Sequence, residues 1–152
     1  MEPATAQPAT RICAPAQPDT HLHEPVRPAP DPSGYTDTFG GRAEEAARVR
    51  REVAAYLGAA PAAGDMILIA SELAANAILH TQSRGSTFTV RCQLSSRTAR
   101  IEVEDLGGPW RPRQGGGRPH GLDIVQVLTG PDSWGTRPAG TGGRVVWAEL
   151  SW

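Results

Sequence analysis

The sequence SELAANAILHT, residues 71–81, carries three polar residues along one edge of an apolar helical stripe. Glu72 and Asn76 are four positions apart and His80 continues the row, so the three side chains share one face of a helix. A carboxylate and a carboxamide one turn apart supply a candidate general base and a neutral oxygen ligand for a hard cation such as Mg²⁺. The same spacing is also typical of a solvated helix edge, and His80 is more typical of a helix end or a packing position.

The residues around this row predict two helices behind a tail of different composition. Apolar residues at three- and four-residue spacings predict one helix over residues 42–57 and a second over residues 65–81. Gly58 ends the first of them. The residues before the helices are rich in prolines, which repeatedly remove the backbone donors that a helix or sheet needs. We therefore expect a disordered tail over residues 1–38 and one folded domain over residues 39–152.

Alternation of apolar and polar residues predicts the strands that follow the second helix. The predicted strands cover residues 88–94, 99–105, 133–137 and 144–150. The first two have a short connection that favours an antiparallel hairpin. A glycine- and proline-rich loop over residues 106–120 and a helix over residues 121–128 lie between the two strand pairs. This order predicts an α+β two-layer sandwich, a mostly antiparallel sheet with helices on one face.

A carboxylate at the end of the second predicted strand is out of place among apolar neighbours. Because odd-numbered positions of that strand face the core, Asp105 follows Ile101 and Val103 inward, and a buried carboxylate needs donors. Gly107 and Gly108 follow it, and they let a planar group approach the backbone closely. The exocyclic amine of adenine is a suitable donor. A strand-end aspartate that accepts hydrogen bonds from its own turn amides is equally consistent with the pattern.

Glycines before the third predicted helix favour a phosphate site. Gly115, Gly116 and Gly117 precede Gly121 at the helix start, so free backbone amides and the helix dipole both face a bound anion. A flexible linker would give the same glycines. Thr141, between glycines at the turn into the last strand, can offer its hydroxyl to a purine or to a bridging water, although a plain turn residue is the simpler interpretation.

Composition narrows the range of partners and locations. The net charge is -1 and all 15 basic residues are arginine, so there is no electrostatic reason for a nucleic-acid or anionic-membrane partner, and any phosphate site here does without lysine. Cys13 and Cys92 are expected to be unpaired, non-catalytic thiols. The sequence contains no uninterrupted stretch of roughly 18 apolar residues, the length needed to cross a bilayer. We therefore expect a soluble cytoplasmic protein.

Taken in order, four segments resemble the Bergerat (GHKL) ATPase fold that histidine kinases, gyrase, the Hsp90 chaperones and the anti-sigma-factor serine kinases share. Residues 71–81 resemble its N box, residues 103–108 its first glycine box and residues 120–125 its second, and residues 134–147 resemble its closing strands. The resemblance implies ATP and Mg²⁺ as cofactors. It further implies the following roles: Glu72 as the base, Asn76 as the magnesium ligand, Asp105 as the adenine acceptor, and Gly107, Gly121 and Leu122 as residues of the nucleotide site.

The compact size, and the lack of a dimerisation helix with a phosphoacceptor histidine, make the chain resemble the anti-sigma serine kinase branch. That resemblance implies a regulator of transcription, an ATP-dependent protein serine/threonine kinase that phosphorylates an anti-sigma antagonist and can also sequester a sigma factor. It is compatible with a homodimer, and it implies no direct contact with nucleic acid or membrane. The alternative is a non-catalytic module that binds ATP and uses it to capture a sigma factor or another regulatory protein.

Overall fold

Eight elements of regular structure are present in the residues that the computed structural model describes, 34–108, 121–140 and 142–152. In chain order they are β1 (Tyr35–Gly40), α1 (Glu45–Leu57), α2 (Ala63–His80), β2 (Thr87–Leu94), β3 (Thr98–Asp105), α3 (Gly121–Thr129), β4 (Trp134–Pro138) and β5 (Arg144–Ser151). The three predicted helices and four predicted strands are all found, with ends that shift by up to three residues. The strand β1 was not predicted.

The strands form one sheet in the order β1-β2-β3-β5-β4, and every neighbouring pair is antiparallel. Alternate residues of β2 and β3 are buried, as their period-two pattern predicts. The buried residues of α1 and α2 join one face of the sheet in a single core cluster. The predicted α+β two-layer sandwich, with a mostly antiparallel sheet, is therefore confirmed.

The strand β1 corrects the predicted end of the tail. It pairs with β2 from Tyr35↔Cys92 to Gly40↔Thr87, so residues 35–38 belong to the sheet rather than to the tail. Phe39 is the one fully buried residue of β1 and stacks on Phe88, with ring centroids 5.7 Å apart. An edge strand with a single buried side chain has too little apolar alternation to be recognised from sequence. Residues 1–33, and with them the predicted disorder, lie outside the described residues.

The helix α2 lies at the centre of the helical layer and carries the polar row. Its buried side chains include Met66, Ile69 and Leu73, and it packs against both α1 and α3. The polar row lies on the border of this stripe, because residues four apart stack one above the other along a helix. No helix in the described residues combines the length and the apolar character needed to cross a bilayer.

The sheet face opposite the core cluster carries ion pairs between strands. Arg91 pairs with Glu104 at 2.7 Å, and Arg137 pairs with Glu102 at 2.8 Å. The guanidinium of Arg100 lies 4.2 Å from the ring centroid of Trp147. These contacts satisfy charged groups along this face, although pairs that remain accessible to water each contribute about 1 kcal/mol or less.

The buried thiol of Cys92 sets an expected alkaline limit on stability. Burial raises the pKa of Cys92 from 9.0 to about 12, because the thiolate would lose its hydration inside the core. The folded state therefore holds this proton more tightly than the unfolded chain. The contribution of the protonated thiol to the free energy of unfolding is complete below pH 9. This contribution declines by about 1.4 kcal/mol per pH unit as the pH rises towards 12.

We expect Cys92→Ala to flatten the dependence of unfolding free energy on pH above pH 9 in urea titrations. Tyr35 stays in both proteins, and burial raises its pKa from 10.0 to about 12, so part of the decline remains in the variant. Equal slopes for the two proteins over this range would contradict the assignment to Cys92.

Candidate functional site

Two residues of the polar row on α2, Glu72 and Asn76, lie beside the first residue of α3. Glu72 and Asn76 are both partly buried, and Gly121 is the first residue of α3. A methyl group on Gly121 would lie 2.6 Å from Oε2 of Glu72 and 3.6 Å from Nδ2 of Asn76. The glycine thus permits an approach that a larger residue would allow only if the carboxylate of Glu72 moved aside. The carboxylate lies at the N-terminal end of α3, where the helix dipole favours negative charge.

Asn76 has an unsatisfied polar group at this junction. Its Nδ2 is buried and has no hydrogen-bond partner among the described residues. A buried polar group without a partner costs about 1–3 kcal/mol, so such groups are rare unless they await a ligand or a bound water. The structure therefore presents an unsatisfied N–H donor beside Glu72 and the first residue of α3.

The donor set at this junction fits a magnesium ion bound together with a phosphate ligand. Mg²⁺ prefers oxygen atoms and is held by one or two protein groups, with substrate phosphates and waters completing its shell. Asn76 can supply one carboxamide oxygen to this shell, and the carboxylate of Glu72 lies beside it. Across residues 34–108, 121–140 and 142–152 no cluster of three or more His, Cys, Asp or Glu is arranged to hold a metal unaided.

Asp105 lies at the end of β3 with only 2% of its surface exposed, which confirms the inward orientation expected from the strand pattern. Its Oδ1 accepts a hydrogen bond from the backbone N–H of Gly107 at 2.7 Å. Its Oδ2 accepts one from Nη2 of Arg144 at 3.1 Å. The bond to a turn amide is thus present, together with an arginine that the sequence did not single out. Asp105 and Arg144 are direct register partners across β3 and β5.

The backbone is tightly packed around this carboxylate. Gly107 and Gly108 adopt φ values of 70° and 114°, which residues other than glycine rarely adopt. The position that a Cβ of Gly107 would take lies 3.6 Å from Cα of Gly143, and a Cβ on Gly143 would collide with the backbone carbonyl of Asp105. The glycines that follow β3 and precede β5 therefore bring two backbones together at Asp105.

The turn after α2 holds the segment that follows Asp105. Ser83 is fully buried, and its Oγ accepts the backbone N–H of Leu106 at 2.9 Å. The N–H of Gln82 donates to the carbonyl of Gly107, also at 2.9 Å. Asn76 lies one helical turn, about 6 Å, before the last residue of α2. The segment that contains Gln82 and Ser83 follows the end of this helix. The helix that carries Asn76 is thus hydrogen-bonded through its end to the segment next to Asp105.

The remaining predicted site residues are placed as follows. Leu122 is partly buried and packs against the hydrophobic core. His80 is the last residue of α2, in keeping with the helix-end interpretation. Gly115, Gly116, Gly117 and Thr141 lie outside the described residues. The structure also brings Gln82, Ser83 and Arg144 to the site, and sequence reasoning missed all three.

Comparison with known proteins gives a family and a fold. The sequence model of the histidine kinase-like ATPase domain matches residues 39–144, more than half of the chain. No curated protein sequence matches. Among solved structures, the RsbU and RsbW domains of Rv1364c from Mycobacterium tuberculosis have a similar fold, with a TM-score of 0.55 and 19% sequence identity. The match covers 77% of this chain and 32% of that one, so the present chain spans about a third of its length.

The matched range contains both clusters of the site, the residues on α2 and α3 and the buried carboxylate at the end of β3. The structural match agrees with the observed open antiparallel sheet and its layer of helices. The resemblance to the Bergerat ATPases is thereby confirmed, and ATP is the ligand that this family implies. The chain belongs to the histidine kinase-like ATPase domain family.

Proposed function

We propose that the chain is an ATP-dependent protein serine kinase of the anti-sigma-factor type, which transfers the γ-phosphoryl group of ATP to a serine of an anti-sigma antagonist protein. The observation that carries the proposal is the contact of Glu72 and Asn76 with Gly121 at the first turn of α3. This contact places a carboxylate beside the helix terminus that best accommodates phosphate. Fold similarity to a protein with an RsbW domain supports the same class of regulator.

In this proposal the adenine of ATP binds at Asp105, and the phosphates of ATP bind at the start of α3. The buried carboxylate accepts a hydrogen bond from the exocyclic amine of adenine, as its remaining lone pairs allow. Gly107, whose N–H donates to this carboxylate, adds no side chain beside it. The phosphates receive hydrogen bonds from the free amides of the first turn of α3, together with the glycine run at residues 115–117.

Asn76, with Glu72 beside it, is the residue that would hold Mg²⁺. The ion would neutralise charge on the phosphate oxygens. The chain's own part is to position the two reactants, because phosphoryl transfer depends mainly on alignment and charge. The proposal assigns Oδ1 of Asn76 to this ligand set, and it leaves the buried Nδ2, which has no partner among the described residues, to donate to a phosphate oxygen.

The transfer step assigns one proton movement to the chain. The serine oxygen forms a bond to the γ-phosphorus while the bond from that phosphorus to the bridging oxygen breaks, and ADP leaves. The hydroxyl proton passes to the carboxylate of Glu72, which acts as general base. A non-catalytic module that captures a sigma factor would need the same nucleotide pocket but no such base, so a transfer assay separates the two functions.

The pocket is tested by calorimetric titration with ATP in the presence and absence of Mg²⁺. We expect binding that requires Mg²⁺, and we expect Asn76→Ala to weaken it about tenfold, the effect of losing about 1.4 kcal/mol from one ligand. Gln126→Ala is the matched control, since it removes an exposed carboxamide from α3 and should leave the affinity unchanged. Equal affinity of Asn76→Ala and the unmodified chain would exclude Asn76 as the metal ligand.

A further inference from the structure

Arg144 lies beside the buried carboxylate of Asp105 and has no role in the function proposed above. It is the first residue of β5, and the register of β5 against β3 sets it directly opposite Asp105. Residues that pair in this way project to the same side of a sheet. The 3.1 Å contact between Nη2 and Oδ2 joins the two side chains on the face that carries the core.

The carboxylate retains capacity for a further donor while this ion pair stays intact. Two carboxylate oxygens offer about four acceptor positions. The contacts above use one position on each oxygen, from Gly107 and from Arg144. An amine can therefore bind to Asp105 without displacing the arginine. Arg144 then remains next to any base that the carboxylate holds.

Arg144 has a donor that no described residue uses. Its Nε is buried and has no hydrogen-bond partner among the described residues. The guanidinium is a rigid planar group, so this N–H is held close to the same carboxylate that Nη2 contacts. An acceptor and an unused donor thus lie side by side. A ligand that satisfies both must carry a donor with an acceptor next to it.

We propose that Arg144 is a second base-specificity residue, whose Nε–H donates to a ring nitrogen beside the amine that Asp105 accepts. The inference rests on the proposed ATP site. A 6-aminopurine meets the requirement, because its exocyclic amine is flanked by the ring acceptors N1 and N7. In the same ring orientation a 6-oxopurine places an acceptor where the carboxylate needs a donor, so it would lose the hydrogen bond to Asp105.

The test is calorimetric titration of the full chain with Mg²⁺ and three nucleotides: ATP, 1-deaza-ATP and 7-deaza-ATP. We expect one of the deaza analogues to bind about 10- to 100-fold more weakly than ATP, the range for a hydrogen bond from a charged donor. In Arg144→Met that analogue and ATP should bind within about threefold of each other, because the donor that distinguishes them is gone. Arg137→Met, which removes an arginine from the opposite face of the sheet, should keep the full discrimination.

A purely structural role for Arg144 gives a different pattern. Removing the arginine leaves a buried carboxylate without its counter-ion, so Arg144→Met can fail to fold. Arg144→Lys then serves as the second variant, since it restores the ion pair but not the planar fork, and it should fold while losing discrimination. Full discrimination in Arg144→Lys, or no preference for ATP in the unmodified chain, would overturn the inference. Absence of any ATP binding by the unmodified chain would refute the proposed function itself.

Discussion

Glu72→Gln is expected to lower phosphoryl transfer by about 100- to 10,000-fold, the range associated with loss of a general base. Glutamine has the shape of glutamate, so it keeps the packing of this side chain beside Gly121. In the unmodified chain a methyl group added to Gly121 would lie 2.6 Å from Oε2 of Glu72. It cannot accept the proton of a serine hydroxyl. Affinity for ATP should stay within about threefold, because the substitution leaves Asn76 and Asp105 in place. The measurement is single-turnover transfer of labelled γ-phosphate to an anti-sigma antagonist protein, with ATP affinity measured in parallel.

The matched control for this loss is Asp65→Asn. Asp65 is an exposed carboxylate in the first turn of the same helix, so the variant loses the same charge without touching the site. Its transfer rate should equal that of the unmodified chain. Transfer by Glu72→Gln within about threefold of the unmodified rate would remove the assigned base. A parallel loss of ATP affinity would instead make Glu72 a binding residue, and it would favour the non-catalytic module.

The elements that build the site were predictable wherever a local period was strong. The helix α2 carries seven buried residues at helical spacing, and β3 alternates strictly between buried and partly buried positions. The second pattern also gives the inward direction of Asp105, because one position on a strand sets all the others. Helical and strand periods are local properties, and they need no knowledge of the rest of the fold.

Contacts between distant elements could not be predicted in this way. Arg144 meets Asp105 only because β5 pairs with β3, and the strand order is a property of the complete sheet. Ser83 is similar, since a serine in a turn gives no sign that its hydroxyl will accept the N–H of Leu106. The strand β1 could not be predicted from sequence, because its pairing with β2, rather than its own composition, stabilises it. The resemblance to a known family assigned Gly121 to the nucleotide site, but it did not specify the contact of Gly121 with α2.

The junction between the ends of β3 and β5 leads to the largest expected effect on stability. Gly143→Ala should lower the free energy of unfolding by at least about 3 kcal/mol, the upper range for overpacking, because the new methyl group would collide with the backbone carbonyl of Asp105. A backbone atom cannot move aside as a flexible side chain does. Relief requires β5 to separate from β3 at the pair that positions Asp105 and Arg144. We therefore expect weaker ATP binding together with a melting temperature about 10 °C lower.

Gly140→Ala separates this steric effect from the general cost of replacing a glycine in the same turn. A Cβ on Gly140 would meet no atom within 4 Å, and neither Gly140 nor Gly143 has a positive φ, so the two positions differ in space rather than in backbone conformation. The control should melt within about 2 °C of the unmodified chain, as substitutions without a structural conflict do. Thermal unfolding followed by circular dichroism measures both variants. Equal melting temperatures for Gly143→Ala and Gly140→Ala would show that β3 and β5 are not in close contact at Asp105, and the geometry assigned to the base site would then be wrong.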